Sequence, residues 1–235
     1  MTEMTTERAV AETVAAMVRH YDSGDVLDGL VRNCVALYPA AAVAVLIDDG
    51  RRGLEMLSTS SHRAEELELL QIQHDRGPCV ESMRTATMVS AAGEQISDRW
   101  GVVGEAILAA GYVAVHAYPM HWRGHVLGGL NVFLSPGTEP REDAHTLGHL
   151  FADLATMAVT HSADLPEGVV AARVHEAISA RSMVEQAKGV LAYRENVGFA
   201  EAHQLLRELA EQRGVTLSET AHHVLQQAQR ATESW

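Results

Sequence analysis

The chain has 235 residues, of which 47% are hydrophobic and 21% are charged, and these values predict a globular protein of two ordinary domains. It contains no apolar run of about 18 residues and no basic start followed by an apolar segment, which excludes a membrane span and a secretory signal and predicts a cytoplasmic protein. The formal charge of −13 argues at first against a nucleic-acid partner, because affinity for phosphates depends largely on Lys and Arg.

The first sixty residues predict two helices and a β-hairpin. Apolar residues at helical spacing predict a helix over 5–20, and Asp25 is the expected N-cap of a second helix. The nearly continuous apolar run 41–47 ends at an Asp-Asp-Gly sequence, and the segment 54–59 follows as its expected partner strand.

The next hundred residues mix helices and strands in an order that indicates an α+β domain with an antiparallel sheet. Gly77-Pro78 interrupts the pattern as a chain break. The other elements expected here are a helix capped by Ser61 that runs to Leu70, a short strand 88–90, a helix 100–110, strands 112–120 and 126–134, and a long helix 141–161.

Three helices are predicted at the end of the chain, over 169–193, 200–212 and 217–228, from apolar residues at i, i+3, i+4 and i+7. Gly189 lies inside the first of them, where glycine costs roughly 1 kcal/mol relative to alanine and often marks a close approach of another backbone or a ligand. Thr216 and Glu219 have the spacing of a capping box before the last helix.

These last helices carry a sequence pattern that extends over residues 173–228. Its residues are Ala187-Lys188-Gly189, Ala202, Leu205-Leu206-Arg207, Ala210, Arg213 and Ala221. The pattern resembles an ANTAR domain, the three-helix output module of bacterial transcription antitermination regulators. The resemblance implies binding of structured RNA with paired hairpins, by which one RNA fold is stabilised over a competing terminator.

A second resemblance covers roughly residues 25–160. It is carried by Gln73, Arg76-Gly77-Pro78-Cys79, Trp100, Gly111, Tyr118-Pro119-Met120 and the Leu127-Gly128-Gly129-Leu130-Asn131 hairpin strand. This segment is similar to the GAF domains found ahead of ANTAR modules. It implies a sensor with a small-molecule ligand or cofactor that the sequence leaves unidentified, and a homodimer.

The expected organisation is therefore an N-terminal helix over 1–24, a GAF-like sensor over 25–163, a short linker over 164–168 and an ANTAR-like domain over 169–231. A row of residues at 3-4 spacing from Val170 to Leu191 also predicts part of a dimer seam.

The negative charge belongs mainly to the front of the chain. Residues 166–235 hold seven basic and nine acidic side chains and carry −2, so residues 1–165 carry −11. The nearly neutral tail permits RNA binding of modest, salt-sensitive affinity.

The resemblance points to Lys188, Arg207 and Arg213 as contacts to RNA phosphates or loop bases, with Arg181 and Arg194 as further candidates. Ala187 and Gly189 are expected at close helix packing or at an RNA approach. Each basic residue also has an ordinary structural interpretation: Lys188 as a solvated lysine, Arg207 as the partner of Glu211, and Arg213 as a cation at a helix C-terminus.

Enzymatic and metal-binding functions have weak support in the sequence. His145 and His149 stand four residues apart but lack a His-Glu-x-x-His pattern, and no phosphate loop or nucleophile elbow occurs. Only two cysteines occur, Cys34 and Cys79, so we expect reduced thiols, with a redox-sensing Cys79 as an alternative to a buried structural residue. The sequence thus predicts a non-enzymatic, signal-responsive RNA-binding regulator, or else a ligand-responsive protein-interaction module without RNA binding.

Overall fold

A five-stranded antiparallel sheet forms the centre of the first 160 residues in the computed structural model, which describes residues 4–19, 22–38, 40, 42–50, 53–137, 143–160 and 167–232. The strands lie in the order β2-β1-β5-β4-β3, so the two predicted hairpins are joined through β1 and β5. The strands are β1 (Ala42–Asp48), β2 (Leu54–Thr59), β3 (Val89–Ala92), β4 (Ala114–Trp122) and β5 (His125–Leu134).

Helices cover both faces of this sheet. The helices of the described residues are α1 (Thr6–Arg19), α2 (Ser23–Leu37), α3 (His62–His74), α4 (Pro78–Thr85), α5 (Glu94–Trp100), α6 (Val102–Ala109), α7 (Ala144–Thr160), α8 (Glu167–Glu195), α9 (Phe199–Arg213) and α10 (Leu217–Thr232). Helices α1, α2 and α7 pack on one face, and α3 to α6 pack on the other. The sheet and α1 to α7 are called the sheet domain below.

Alternating residues of each strand enter the two cores. In β1, Val43, Val45 and Ile47 pack with α2 and α7, whereas Ala42 and Leu46 face the side of α3 and α4. Because both faces are covered, a strand of this sheet needs apolar residues at successive positions. This explains the continuous apolar run in the sequence and confirms the α+β prediction.

One local prediction in this domain is wrong, and helix α5 has no counterpart among the predicted elements. Asp22, not Asp25, is the N-cap of α2, since its Oδ1 accepts a hydrogen bond of 3.1 Å from the amide of Asp25. The helix predicted over 100–110 is found as α6, and the additional helix α5 precedes it, the two being separated at Gly101 with φ of 55°. Such a positive φ is readily adopted by glycine, so the chain can turn there.

Helices α8 to α10 form the bundle, a three-helix unit with its own core of Val184, Ala187, Leu191 and residues of α9 and α10. Thr216 and Glu219 form the predicted capping box, since each side chain accepts a hydrogen bond from the other residue's amide. Residues 167 and 168 of the predicted linker belong to α8, and residues 164–166 lie outside the described part of the chain.

The first half of α8 does not form the predicted dimer seam. Val174 and Ala177 pack into the core shared by α2, α7 and the sheet, while Val184 and Leu191 pack into the bundle. The 3-4 spacing is therefore used within one chain. Among the helices of the described residues, none is both long and apolar enough to cross a membrane.

A buried polar cluster lies between α3 and β5. Glu68 is fully buried, and its two carboxyl oxygens accept hydrogen bonds from Asn131 Nδ2 at 2.6 Å and Gln71 Nε2 at 2.7 Å. Gln71 Oε1 in turn accepts a hydrogen bond from the amide of Cys79. A β-carbon on Gly77, where φ is 143°, would lie 2.3 Å from that same oxygen, which explains the glycine before Pro78.

The ionisation of Glu68 should make the stability of the sheet domain depend on pH. Burial raises the pKa of Glu68 from its ordinary 4.5 to about 8, although the bond from Asn131 acts in the opposite direction. Because the folded state favours the protonated carboxyl group, Glu68 contributes its full stabilisation of the fold below about pH 4.5. This contribution is lost as the pH rises through about 8.

We therefore expect Glu68→Gln to lose less stability than the parent between pH 5 and pH 8.5 in thermal unfolding. The amide of Asn131 can turn so that its Oδ1, which is buried without a partner among the described residues, accepts from the new amide. Glu66→Gln is the control, because Glu66 is 66% exposed. Equal losses in the parent and in Glu68→Gln would contradict this role.

Candidate functional site

A cleft of about 380 Å³ lies between the sheet domain and the bundle. Strand β2 and the start of α3 form one wall, and α8 and α9 form the other. This domain cleft brings together three of the predicted site residues, Arg181, Lys188 and Arg207, from two different helices. The three cations therefore share one surface, but that surface faces another domain of the same chain.

Arg181 makes the direct ionic contact across the domain cleft. Its Nη2 donates to Glu65 Oε1 of α3 at 3.1 Å, and its Nη1 donates to the carbonyl oxygen of Leu57 in β2 at 3.4 Å. The side chains of Arg181 and Glu65 are only 14% and 18% exposed. Their attraction is therefore screened less by water than that of a surface pair.

Lys188 is not the solvated lysine that its spacing alone allows. Its side chain is 12% exposed, and its Nζ donates to both oxygens of Glu185, at 2.7 and 3.0 Å. Both residues belong to α8, so this contact holds the ammonium group in the cleft without joining the two domains. A bound anion could therefore replace Glu185 as the hydrogen-bond acceptor of the Lys188 ammonium group.

Arg207 and His203 present the α9 side of the cleft. Arg207 donates to Gln204 on its own helix, and its buried Nε has no hydrogen-bond partner among the described residues. His203 Nε2 lies 3.2 Å from Asp28 Oδ1 of α2. Burial, followed by the charges of Lys188 and Arg207, lowers the pKa of His203 from 6.5 to about 4, so the ring is neutral and donates to Asp28 at neutral pH.

Two further contacts join the sheet domain to the bundle. Asp25 Oδ1 of α2 accepts a 2.8 Å hydrogen bond from the amide of Leu217, the first residue of α10. Burial and then Asp22 raise the pKa of Asp25 to about 6. In addition, the rings of Phe199 and His62 stack with centroids 6.4 Å apart.

The other predicted site residues lie away from this cleft. Arg194 and Arg213 are exposed in the last turns of α8 and α9. Ala187 is fully buried in the bundle core. The expected close packing at Gly189 is not found, because a β-carbon there would have no atom within 4 Å outside its own helix. Glycine therefore leaves open space on that face of α8.

The residues that sequence reasoning missed are the acidic partners on the sheet domain. Asp25, Asp28 and Glu65 all contact the bundle, although each is more than 110 positions away from its partner in the sequence. Nothing in their local spacing predicts a contact with the last three helices. The uneven charge of the two halves was the one available signal.

The two histidines and the cysteine that the sequence offers as alternative sites make contacts within the sheet domain. His145 Nδ1 lies 3.0 Å from the hydroxyl of Tyr118, and the His149 ring packs edge-on against the same tyrosine. Among the described residues, no three His, Cys, Asp or Glu side chains are placed to hold a metal ion. Cys79 is buried, and burial raises the pKa of its thiol, which disfavours the reactive thiolate.

Comparison with known proteins gives a domain family for the end of the chain and a fold for the first part. Residues 172–225 match the family model of the ANTAR domain. The GAF domain of a phosphoenolpyruvate-protein phosphotransferase from Coxiella burnetii has a TM-score of 0.52 and 16% identity, and the match covers 68% of this chain and 96% of that one. The corresponding Acinetobacter domain has a TM-score of 0.51 and 15% identity over the same shares. Comparison with curated proteins gives no match.

The chain therefore combines a domain of the GAF fold with a C-terminal ANTAR domain, as the sequence predicts. The sheet domain has the GAF fold, and the bundle is a domain of the kind found in RNA-binding antitermination regulators. The domain cleft thus lies between the GAF-like fold and the ANTAR helices.

The electrostatics of the cleft can be tested through His203. We expect its ring signals in NMR spectra to stay constant from pH 8 to pH 5.5, because its pKa is lowered to about 4. Lys188→Met should raise this pKa, since Lys188 is the largest of the three cationic causes, ahead of Arg207 and Arg32. Arg213→Met, which removes an exposed charge outside the cleft, is the control, and an unchanged pKa in Lys188→Met would refute the assignment.

Proposed function

We propose that this protein is a non-enzymatic regulator that binds structured RNA through its ANTAR domain and controls transcription termination in response to a signal received by its GAF-like domain. The preferred RNA carries two small hairpins, and the bound protein stabilises that fold over a competing terminator. A protein that acts on nascent bacterial RNA works in the cytoplasm. The domain ranges of the proposal are 25–163 for the sensor and 169–231 for the output domain.

The observation that carries this proposal is the convergence of Arg181, Lys188 and Arg207 on one face of a bundle that matches the ANTAR domain. Guanidinium and ammonium groups are the side chains that bind phosphate oxygens, and Arg does so through two parallel hydrogen bonds. Arg207 also has an unpaired, buried Nε available for such a contact. Arg194 and Arg213, which are exposed at the ends of their helices, extend the contacts to neighbouring phosphates.

We also propose that the protein is a homodimer through α1 and α7. An apolar groove of about 580 Å³ lies between these helices and the β4–β5 turn. Three large apolar side chains are exposed there: Val14 at 40%, Val18 at 79% and Met157 at 53%. A second copy of the chain would remove this patch from water, and burial of apolar surface is the main driving force for such association.

RNA binding should depend on the cleft cations. Lys188→Ala and Arg207→Ala should each weaken binding of a tandem-hairpin RNA by about tenfold or more, since hydrogen bonds to charged groups contribute roughly 1.5–3 kcal/mol. Neither side chain donates a hydrogen bond across the domain cleft, so the fold should persist in circular dichroism. Affinity should be measured by fluorescence anisotropy at several salt concentrations, with a log-log slope near −2 expected for about three phosphates.

Arg230→Ala is the matched control, because Arg230 is exposed near the end of α10 and away from the cleft. It should bind RNA like the parent. If Lys188→Ala and Arg207→Ala also bind like the parent, the assigned face is wrong. If the parent binds no hairpin RNA with or without cellular metabolites, the bundle is instead a docking module for another protein.

The dimer should be sensitive to charge in the apolar groove. We expect sedimentation of the full chain at tens of micromolar to show a dimer, and Val18→Asp to convert it to a monomer by placing a carboxylate in the interface. Val102→Asp is the control, since Val102 is 58% exposed on α6, on the opposite side of the sheet. A monomeric parent would contradict the proposal.

A further inference from the structure

We propose that RNA and the GAF-like domain compete for the same face of the ANTAR domain, so that Glu65 and Asp28 must leave the domain cleft before RNA binds. This inference rests on the proposed RNA-binding function and adds the sign of the regulation. In the closed arrangement seen here, the GAF-like domain inhibits RNA binding. The basic residues of the cleft then bind carboxylates of the same chain in the closed state and phosphates of RNA in the open state.

The size of the cleft requires such an exchange. Its volume of about 380 Å³ is at the lower end of the roughly 300–1,000 Å³ that accommodates a small-molecule ligand. An RNA hairpin is far larger than that. Arg181 and Lys188, whose side chains are 14% and 12% exposed, therefore cannot contact a hairpin while the domains remain together.

The chemistry of the contacts also fits an exchange of carboxylate for phosphate. Arg181 binds Glu65 Oε1 through its guanidinium group, and the amide of Leu217 at the N-terminus of α10 binds Asp25 Oδ1. Guanidinium groups and helix N-termini are both common phosphate-binding groups in proteins. The sheet domain thus presents anions to two positions of the bundle that are suited to RNA phosphates.

The third polar contact depends on the neutral state of His203. Asp28 accepts from its Nε2, and Asp28 is also paired with Arg32 on α2, whose pKa is lowered by burial and then by Arg207. Lys188 and Arg207 face the same ring from α8 and α9. Positive groups therefore crowd this part of the cleft, and removal of the Asp28 charge should loosen it more than removal of an exposed carboxylate.

Helix α8 keeps the two partners close when the contacts open. Val174 and Ala177 are held in the core of the sheet domain, whereas Val184 and Ala187 belong to the bundle. The inhibitory carboxylates therefore remain tethered to the face that they cover, at a high effective concentration. Such intramolecular competition reduces the apparent RNA affinity by the fraction of molecules in the closed arrangement.

The test uses the full chain and the double variant Glu65→Gln/Asp28→Asn, in which both side chains keep their size and lose their charge. We expect the double variant to bind a tandem-hairpin RNA at least about fivefold more tightly than the parent, the lower end of common coupling between sites. Without RNA, hydrogen exchange at the amide of Leu217 should be faster in the double variant. Glu66→Gln is the control, because Glu66 neighbours Glu65 but is 66% exposed.

The outcomes separate this inference from the function on which it rests. If the parent and the double variant bind RNA equally, competition is refuted and RNA binding stands. If RNA binds the parent and the distance between spin labels on α3 and α9 does not increase, the two domains stay together, and the competition is again refuted. If neither protein binds hairpin RNA, both the inference and the proposed function fail, and capture of a protein partner by the double variant would then identify the alternative.

Discussion

Helix α8 belongs to two hydrophobic cores at once, and the relation between the two domains depends on it. Its N-terminal half packs with α2, α7 and the sheet, and its C-terminal half forms the wall of the bundle. Because the backbone hydrogen bonds of a continuous helix resist local bending, the N-terminal half of α8 fixes the orientation of its C-terminal half. The face that carries Arg181 and Lys188 is consequently held against β2 and α3, and the polar contacts of the cleft form around this constraint.

Most secondary structure could be predicted from sequence because local physics decides it. The hairpin at β4 and β5 follows from two long apolar segments around a turn, and α8 to α10 follow from helical periodicity and a capping box. Asp25 shows where this reasoning ends. It has the residue type and position of an N-cap, but Asp22 takes that role and leaves Asp25 free to contact a residue 192 positions later.

The candidate site could be predicted only in part, for the same reason. Lys188 and Arg207 were found through a motif within one domain, whereas their burial depends on how the second domain docks. Docking of this kind is set by many weak contacts between distant residues, including the ring pair Phe199 and His62 and the ion pair Arg181 and Glu65. No periodicity in a single sequence records such contacts, so the closed cleft appears only in the three-dimensional structure.

The hydrogen bond from Leu217 to Asp25 has a consequence for how the ANTAR domain can be moved or reused. The start of a helix leaves backbone amides without partners, and here Thr216 satisfies one of them within the bundle while Asp25 satisfies another from the sheet domain. The final helix is therefore completed by a residue that a transplanted or truncated bundle would lack. Fused to a different sensor, the same three helices would present this amide to water or to an acceptor of the new partner, so the start of α10 would depend on the domain to which the bundle is joined.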